Sequence, residues 1–264
     1  MYGKRAAGRK LNILFSVAAV LVMWGVWLIA HAAVRNEYII PSFADTMRSM
    51  GESLSDSYFW TSYGYTMLRA AEGWAIAFVC AVLFSALAAV SDACRRFFDP
   101  FVSVFRTVPT MAITLMLLVW TSPRTAPVIV TFLMLFPISY AQLTAAYRSV
   151  DPKLIEMAEV YCVPARERIL RIYIPQMLPS LFSQAGPNLS LSVKVAVSAE
   201  VLAFTFQSVG GILQQASVYN DMPQLFAVTI LMLITGGILE FALGNLTRIT
   251  DRWTRGRQGK EARQ

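Results

Sequence analysis

Long apolar runs separated by short polar segments set the pattern of this chain. The runs lie at 11–34, 65–90, 101–121, 125–147, 180–204 and 222–246. Each is close to the ~20 residues that a helix needs to cross a hydrocarbon layer of ~30 Å. The pattern predicts an all-α membrane protein with six transmembrane helices. Pro109 interrupts the third run and Pro137 the fourth, and both are expected to kink their helices, because proline removes a backbone donor and crowds the preceding turn. The first run has a basic start and an Ala30-His31-Ala32 stretch like a signal-peptide cleavage site. Signal h-regions are only about 7–15 residues long, so this run reads as a retained span with His31 at its outer end.

The polar joints divide the chain into a short N-terminus (1–10), the first transmembrane helix (11–34), a mixed segment (35–62), a core (63–247) and a tail (248–264). In the mixed segment Ser42, Phe43, Met47, Met50 and Leu54 allow a short surface helix. At the outer end of the second run, Arg69 and Glu72 stand three apart and can pair on one helix face.

Composition fits this reading. The chain is 56% hydrophobic and only 15% charged, whereas soluble domains carry about a quarter charged residues. A net charge of +7 could suggest nucleic acid, but the basic residues sit at the ends of the apolar runs. Lys4, Arg5, Arg9 and Lys10 precede the first run, Arg95 and Arg96 follow the second, and five basic residues lie between 148 and 171. Six more fill the tail, while the segments on the other side hold only Arg35, Arg48 and Arg124. By the positive-inside rule both termini and the 148–171 segment are cytoplasmic.

Catalytic chemistry finds little material. His31 is the lone histidine, and Cys80, Cys94 and Cys162 have no C-x-x-C spacing, so no metal site or disulfide is expected. No phosphate-binding G-x-x-x-x-G-K-[ST] loop is present, so the chain is not expected to be an ATPase, and no cofactor of its own is expected.

The most informative joint is 151–179, DPKLIEMAEVYCVPARERILRIYIPQMLP. Asp151-Pro152 is a helix start, with Asp as N-cap and Pro in the first position. Leu154, Ala158, Tyr161 and Cys162 share one side at helical spacing. Pro164 breaks the pattern, and a second helical piece follows until Pro175 and Pro179. The plain reading of this joint is an amphipathic linker on the membrane surface.

Its residues also resemble the cytoplasmic loop of permease subunits of bacterial binding-protein-dependent ABC importers, which has the form E-A-A, three residues, G, about nine residues, I-x-L-P. Glu156-Met157-Ala158 stands at the E-A-A and Ile172-Tyr173-Ile174-Pro175 at the I-x-L-P. Cys162 stands in place of the glycine, which assigns the bend to Pro164 instead. Elsewhere Thr66-Met67-Leu68-Arg69, Asp99-Pro100, Val108-Pro109-Thr110, Ala199-Glu200 and Gly210-Gly211-Ile212 resemble further segments of that family. The likeness is nearest to permeases for nitrate, sulfonate, taurine, bicarbonate and thiamine precursors.

The resemblance implies a multi-pass protein of the bacterial inner membrane. Two permease copies, or a permease and a paralogue, would form the pathway. The loop at 148–179, between the fourth and fifth spans, would dock on two cytoplasmic ABC ATPase subunits that hold ATP and magnesium. A periplasmic or lipid-anchored solute-binding protein would deliver the solute. The docking residues would be Glu156, Met157, Ala158, Glu159, Cys162, Pro164 and Arg166, with Ala158 and Cys162 small enough for close approach. Inside the fifth span, Lys194 is a costly intramembrane charge that faces either a cavity or a partner. Ser190 and Ser198 lie one turn to either side, so the three could line a path for an anion, or Lys194 could be a structural pair. Glu200, near the outer end, is either a gate residue or an interface-level carboxylate in water. Gly236-Gly237 permits close helix approach. A non-transporting scaffold or degenerate paralogue stays open, and a membrane enzyme is disfavoured by the shortage of histidines and intramembrane acids.

Overall fold

Capping residues and prolines decide where the helices of this chain start and stop. The computed structural model describes residues 2–261; the side chains of 1–14, 16, 17, 90, 92 and 244–264 lie outside the described set, and with them the basic flanks expected at 1–10 and 248–264. Among the described residues the regular structure is helical throughout. Helix α1 spans Tyr2–Val34. Helix α2 (Phe43–Ser55) is the short helix expected in the mixed segment, and the Ser42 hydroxyl caps it by accepting from the Asp45 N–H. Asp56 then caps α3 (Ser57–Val90), accepting from the Tyr58 N–H at 2.9 Å. That cap starts α3 at Ser57, inside the segment expected to be external.

The third apolar run is not one kinked helix. It forms α4 (Asp92–Thr107) and α5 (Thr110–Trp120), bent by 96°. Val108 and Pro109 are both extended, with ψ of 128° and 127°. A residue before proline is driven out of the helical region, and Pro109 offers no N–H to resume the ladder. Two extended residues in a row turn the chain further than a kink. By contrast α6 (Ala126–Arg148) runs unbroken through Pro137.

After α6 come α7 (Pro152–Val160), α8 (Ala165–Arg168), a π-helical turn (Ile169–Tyr173) and α9 (Ile174–Leu202). The last three are continuous. The second helical piece therefore does not stop at Pro175 and Pro179. Pro175 sits at the start of α9, and the π turn absorbs the change, with the Ile174 N–H donating to the Ile169 carbonyl. A short α10 (Val209–Val218) and the long α11 (Met222–Glu261) complete the chain.

Packing follows membrane rules. Phe59, Ser62, Thr66, Ala70, Ala77, Ala81 and Ala88 form one buried stripe along α3, at the spacing of a helix face. Gly73 lies on the same stripe, and a Cβ there would meet the Thr131 Cβ of α6 at 2.6 Å. Small side chains let α3 and α6 pack backbone to backbone, the usual device where lipid removes the hydrophobic drive between helices. The large apolar residues of α3 instead face outward, among them Ile76, Val79, Leu83 and Leu87. The most enclosed helix is α6, packed against α3, α4, α5 and α9, and α9 also packs on α11.

By length and composition, three helical stretches can cross a membrane: Ser57–Ala89, Ala126–Arg148 and Met222–Leu243, with a fourth if the bent α4–α5 pair counts as one. The first run is represented by Ala18–Val34, a shorter apolar helix. The fifth, α9, has 29 residues but carries Gln184, Asn188, Lys194 and several serines, which dilute its apolar character. One of these polar groups, Asn188, is satisfied inside the bundle by Gln142 of α6. The Gln142 amide donates to Asn188 Oδ1 at 3.1 Å and receives the Asn188 amide at 2.6 Å.

Candidate functional site

Two polar regions stand at opposite ends of the α8–α9 rod, with a charged side chain between them. The first is the α7 loop. Asp151 caps α7 by accepting from the Lys153 N–H at 3.0 Å, and Pro152 occupies the first turn as its missing N–H and fixed φ favour. At the other end the Val163 N–H reaches the Ala158 carbonyl at 2.8 Å and the Cys162 N–H reaches the Glu159 carbonyl at 3.0 Å. This bond pair is a Schellman cap, whose penultimate residue must be left-handed. Cys162 is that residue, with φ of 49°. The bend assigned to Pro164 is thus made at Cys162, and Pro164 only starts α8. A thiol side chain occupies a position whose backbone favours glycine.

The loop's outer surface is mixed. Glu156, Glu159, Cys162, Pro164 and Arg166 are exposed, and beside them Met157, Val160 and Tyr161 are 49%, 79% and 75% exposed. Ala158 is 1% exposed, so its small size serves packing within this chain rather than the outer face. Tyr161 does not share its buried side. Glu159 pairs with Arg168 at 3.4 Å. The loop is anchored to the bundle by Gln176, which accepts from the Asp151 N–H, and by Tyr147 stacked on Tyr173 with centroids 5.0 Å apart. Burial, then the neighbouring Tyr147 hydroxyl, pushes the Tyr173 phenol up to about 12.

The second region joins α3, α9 and α10. Glu200 is fully buried. Its Oε1 accepts from Arg69 at 2.8 Å, and its Oε2 accepts from the Thr66 hydroxyl at 2.8 Å and the Gly210 N–H at 3.2 Å. Thr66 in turn accepts from the Val209 N–H at 2.9 Å. The Arg69 guanidinium also lies 5.7 Å from the Tyr65 ring centroid. Arg69 therefore does not pair with Glu72, which is exposed, because its head is drawn inward where only a buried carboxylate can balance it. Glu200 is likewise no water-level carboxylate. A Cβ on Gly210 would lie 2.3 Å from the Glu200 Cβ, so α10 can approach this closely only with glycine there.

Between these regions Lys194 is exposed, and its ammonium has no hydrogen bond or ion pair among the described residues. It borders two grooves. One of about 280 Å³ is lined by Thr110, Met111, Thr114 and Ser198 among others. The other, of about 220 Å³, includes Ser190, Ser198, Thr229 and Gly236. Ser198 spends its proton on the Lys194 carbonyl at 2.9 Å. Ser190 is buried with no partner for its hydroxyl. Gly236 packs against Ser190, where a Cβ would approach its Oγ to 2.9 Å, while Gly237 meets nothing. Thr110 was visible only within the Val108-Pro109-Thr110 segment, and Thr114 and Thr229 drew no attention; hydroxyls recurring inside otherwise apolar runs are the signal that could have found them. Among the described residues no cluster of His, Cys, Asp and Glu could hold a metal ion. His31 bonds the Ile40 carbonyl through Nδ1 at 2.9 Å.

Comparison with known proteins bears on this arrangement. Residues 81–256 match the family described as binding-protein-dependent transport system inner membrane component. An aliphatic sulfonates transport permease of Bacillus subtilis is 22% identical over 261 residues, covering 97% of this chain and 94% of that protein. The taurine transport system permease of Escherichia coli is 21% identical over 249 residues, covering 90% and 88%. Among solved structures, a bacterial alginate ABC transporter bound to its alginate-loaded periplasmic protein contains a chain with TM-score 0.65 at 12% identity, covering 92% of this chain and 96% of that one. At that identity the likeness speaks to the fold.

Proposed function

The chain belongs to the family of binding-protein-dependent transport system inner membrane components, and from that premise we propose that it forms half of the membrane pathway of an ATP-driven importer for a small anionic or organic solute. It is a permease subunit, not an ATPase. The reading places it in the bacterial inner membrane with six spans and both termini cytoplasmic. A second permease copy or a paralogue would complete the pathway, and a binding protein would dock outside. Two ATPase subunits, which hold the ATP and magnesium, would seat on the α7 loops.

The observation that carries the reading is the continuity from the loop to the buried pair. Helix α8, the π turn and α9 form one rod from Ala165 to Leu202, roughly 57 Å long at 1.5 Å per residue. At one end the Glu159–Arg168 ion pair and the bond from the Asp151 N–H to Gln176 tie it to α7, whose exposed face carries Glu156, Met157 and Val160, with Tyr161 just beyond. At the other, Glu200 ties it to α3 and α10. Such continuity offers a path for a displacement of the docked loop to reach the outer end, with the π turn, Pro179 and Pro187 as the points where the helix can bend, and the 96° break at Val108-Pro109 leaves α4 and α5 free to follow different neighbours. This is the rigid-body type of switch. Lys194, unpaired and flanked by hydroxyls, supplies a cation part-way along, which suits an anion. The sulfonate and taurine permeases among its relatives agree with a solute that carries an anionic group such as a sulfonate.

The test is Glu156→Lys in the complete transporter. The variant protein is expected in the membrane at normal level, with solute-stimulated ATP hydrolysis and uptake lost and the ATPase no longer co-purifying. Normal uptake by that variant would remove the docking assignment.

A further inference from the structure

The hydroxyls that line the two grooves beside Lys194 divide by where their protons go. On the side of α5, Thr110 donates to the Met134 sulfur at 3.3 Å, Thr114 to the Thr110 carbonyl at 2.8 Å and Ser198 to the Lys194 carbonyl at 2.9 Å. On the side of α11, Thr229 donates to the Leu225 carbonyl at 2.7 Å. A hydroxyl whose proton is committed offers a ligand only lone pairs. The groove of about 280 Å³ beside α5 therefore surrounds the ammonium with acceptors, which an anion avoids.

Ser190 differs. It lines the groove of about 220 Å³ between α9 and α11, is 1% exposed, and its hydroxyl has no hydrogen-bond partner among the described residues. Such a group has given up water without a replacement. Across from it stands Gly236, where a Cβ would come 2.9 Å from the Ser190 Oγ and 4.0 Å from the Lys194 Cε. The bare glycine thus leaves open a place that both donors border. The remaining wall is apolar, with Val197, Leu213, Met232 and Leu233 on it. Among the described residues no Asp or Glu lines either groove. Glu240 of α11 packs level with Gly186, eight residues before Lys194 and so roughly 12 Å from it along α9.

We infer that the α9–α11 groove is a binding subsite of the permease itself, and that it takes an organic monoanion with a compact anionic head and a short apolar body. The Lys194 ammonium and the Ser190 hydroxyl hold the head beside Gly236, while Val197, Leu213, Met232 and Leu233 cover the body. Hydrogen bonds to an ionised group are the strong ones, and an ammonium at membrane depth requires a partner or a cavity. A compact zwitterion does not fit, because its own ammonium would lie beside Lys194 with no carboxylate in reach. An inorganic oxyanion leaves the apolar wall unused. Naming this ligand as the transported solute rests on the importer reading; its binding to the groove does not.

Equilibrium dialysis of radiolabelled butanesulfonate against the purified full-length chain in neutral detergent tests this, with methanesulfonate, ethanesulfonate and taurine as competitors. Butanesulfonate should bind, and affinity should rise about fourfold per methylene from methanesulfonate upward. Taurine should compete about tenfold less well than ethanesulfonate, its analogue without the amine. Ser190→Ala should weaken butanesulfonate about tenfold and Lys194→Met about a hundredfold. Ser190→Ala deletes a hydroxyl that has no partner, so the variant should unfold no earlier than the parent, and its loss of binding then cannot be a loss of structure. No butanesulfonate binding by the parent, or equal binding by either variant, overturns the subsite. A flat series from methanesulfonate to butanesulfonate, or taurine equal to ethanesulfonate, overturns the ligand class. Uptake by the complete transporter is read separately: Ser190-dependent binding without import would remove the importer reading and leave the subsite standing.

Discussion

The buried pair of Arg69 and Glu200 yields a quantitative expectation. Arg69→Met removes a charge that is 8% exposed and leaves Glu200, fully buried, with only the Thr66 hydroxyl and the Gly210 N–H. Breaking a buried pair in this way costs about 3–5 kcal/mol, because the remaining charge is stranded. Glu200→Leu strands Arg69 instead and should cost a similar amount. The double variant Arg69→Met with Glu200→Leu strands neither charge. Its remaining penalty is the orphaned Gly210 N–H and Thr66 hydroxyl, about 1–3 kcal/mol each and common to Glu200→Leu, so it should be more stable than that single variant and lose less than the two single losses added. Detergent-driven unfolding of the purified full-length protein in mixed micelles, run as a double-mutant cycle, measures all three. The reasoning fails if Arg69→Met costs less than about 1 kcal/mol, or if the double variant loses the sum of the two single losses, since strictly additive losses mean that the charges do not see each other.

Two other expectations are more direct. Lys194→Met should leave folding intact and raise the solute concentration needed for half-maximal uptake in proteoliposomes; unchanged import kinetics would remove Lys194 from the path. The Tyr173 phenol, pushed up to about 12, favours the folded chain fully below the ordinary tyrosine pKa of about 10, and that contribution disappears as pH rises through about 12. Absorbance titration of tyrosinate should therefore show a late-ionising tyrosine that Tyr173→Phe abolishes, and an unchanged curve would refute its burial against Tyr147.

The pattern of apolar runs made the long helices legible, because hydrocarbon thickness constrains length directly. It could not separate a kink from a break at Pro109. That outcome depends on Val108 and Pro109 both being extended, which no periodicity records. Nor did a run's apolar content measure how much of it faces lipid. On α3 the buried stripe is, beyond Phe59, Ser, Thr, Gly and Ala, while Ile76, Val79, Leu83 and Leu87 face out, so the inner face of this helix is less hydrophobic than its outer face. The site divides along the same line. The motif residues Thr66, Arg69, Glu200 and Gly210 were each visible in sequence, yet Arg69 was matched with Glu72, its neighbour in sequence. The actual partner is 131 residues away, and only the packing of α3 against α9 and α10 brings it close.

Cys162 makes the same point at the scale of one residue. The chain was expected to turn at Pro164 because glycine is absent from the position where a left-handed residue would be needed. The backbone adopts that conformation regardless, with Cys162 at φ of 49°, held by the bonds to Ala158 and Glu159. For a residue with a Cβ the left-handed conformation costs roughly 1–2 kcal/mol. The Schellman bonds and the burial of Ala158 offset that cost in the folded chain. Cys162→Gly should recover most of it, less the added freedom of glycine in the unfolded chain, for a net gain of roughly 0.5–1 kcal/mol. Cys162→Val, β-branched and worse suited to positive φ, should lose stability. The two variants differ little in polarity and both lack the thiol. If they unfold at the same detergent concentration, the left-handed backbone at 162 is not what ends α7.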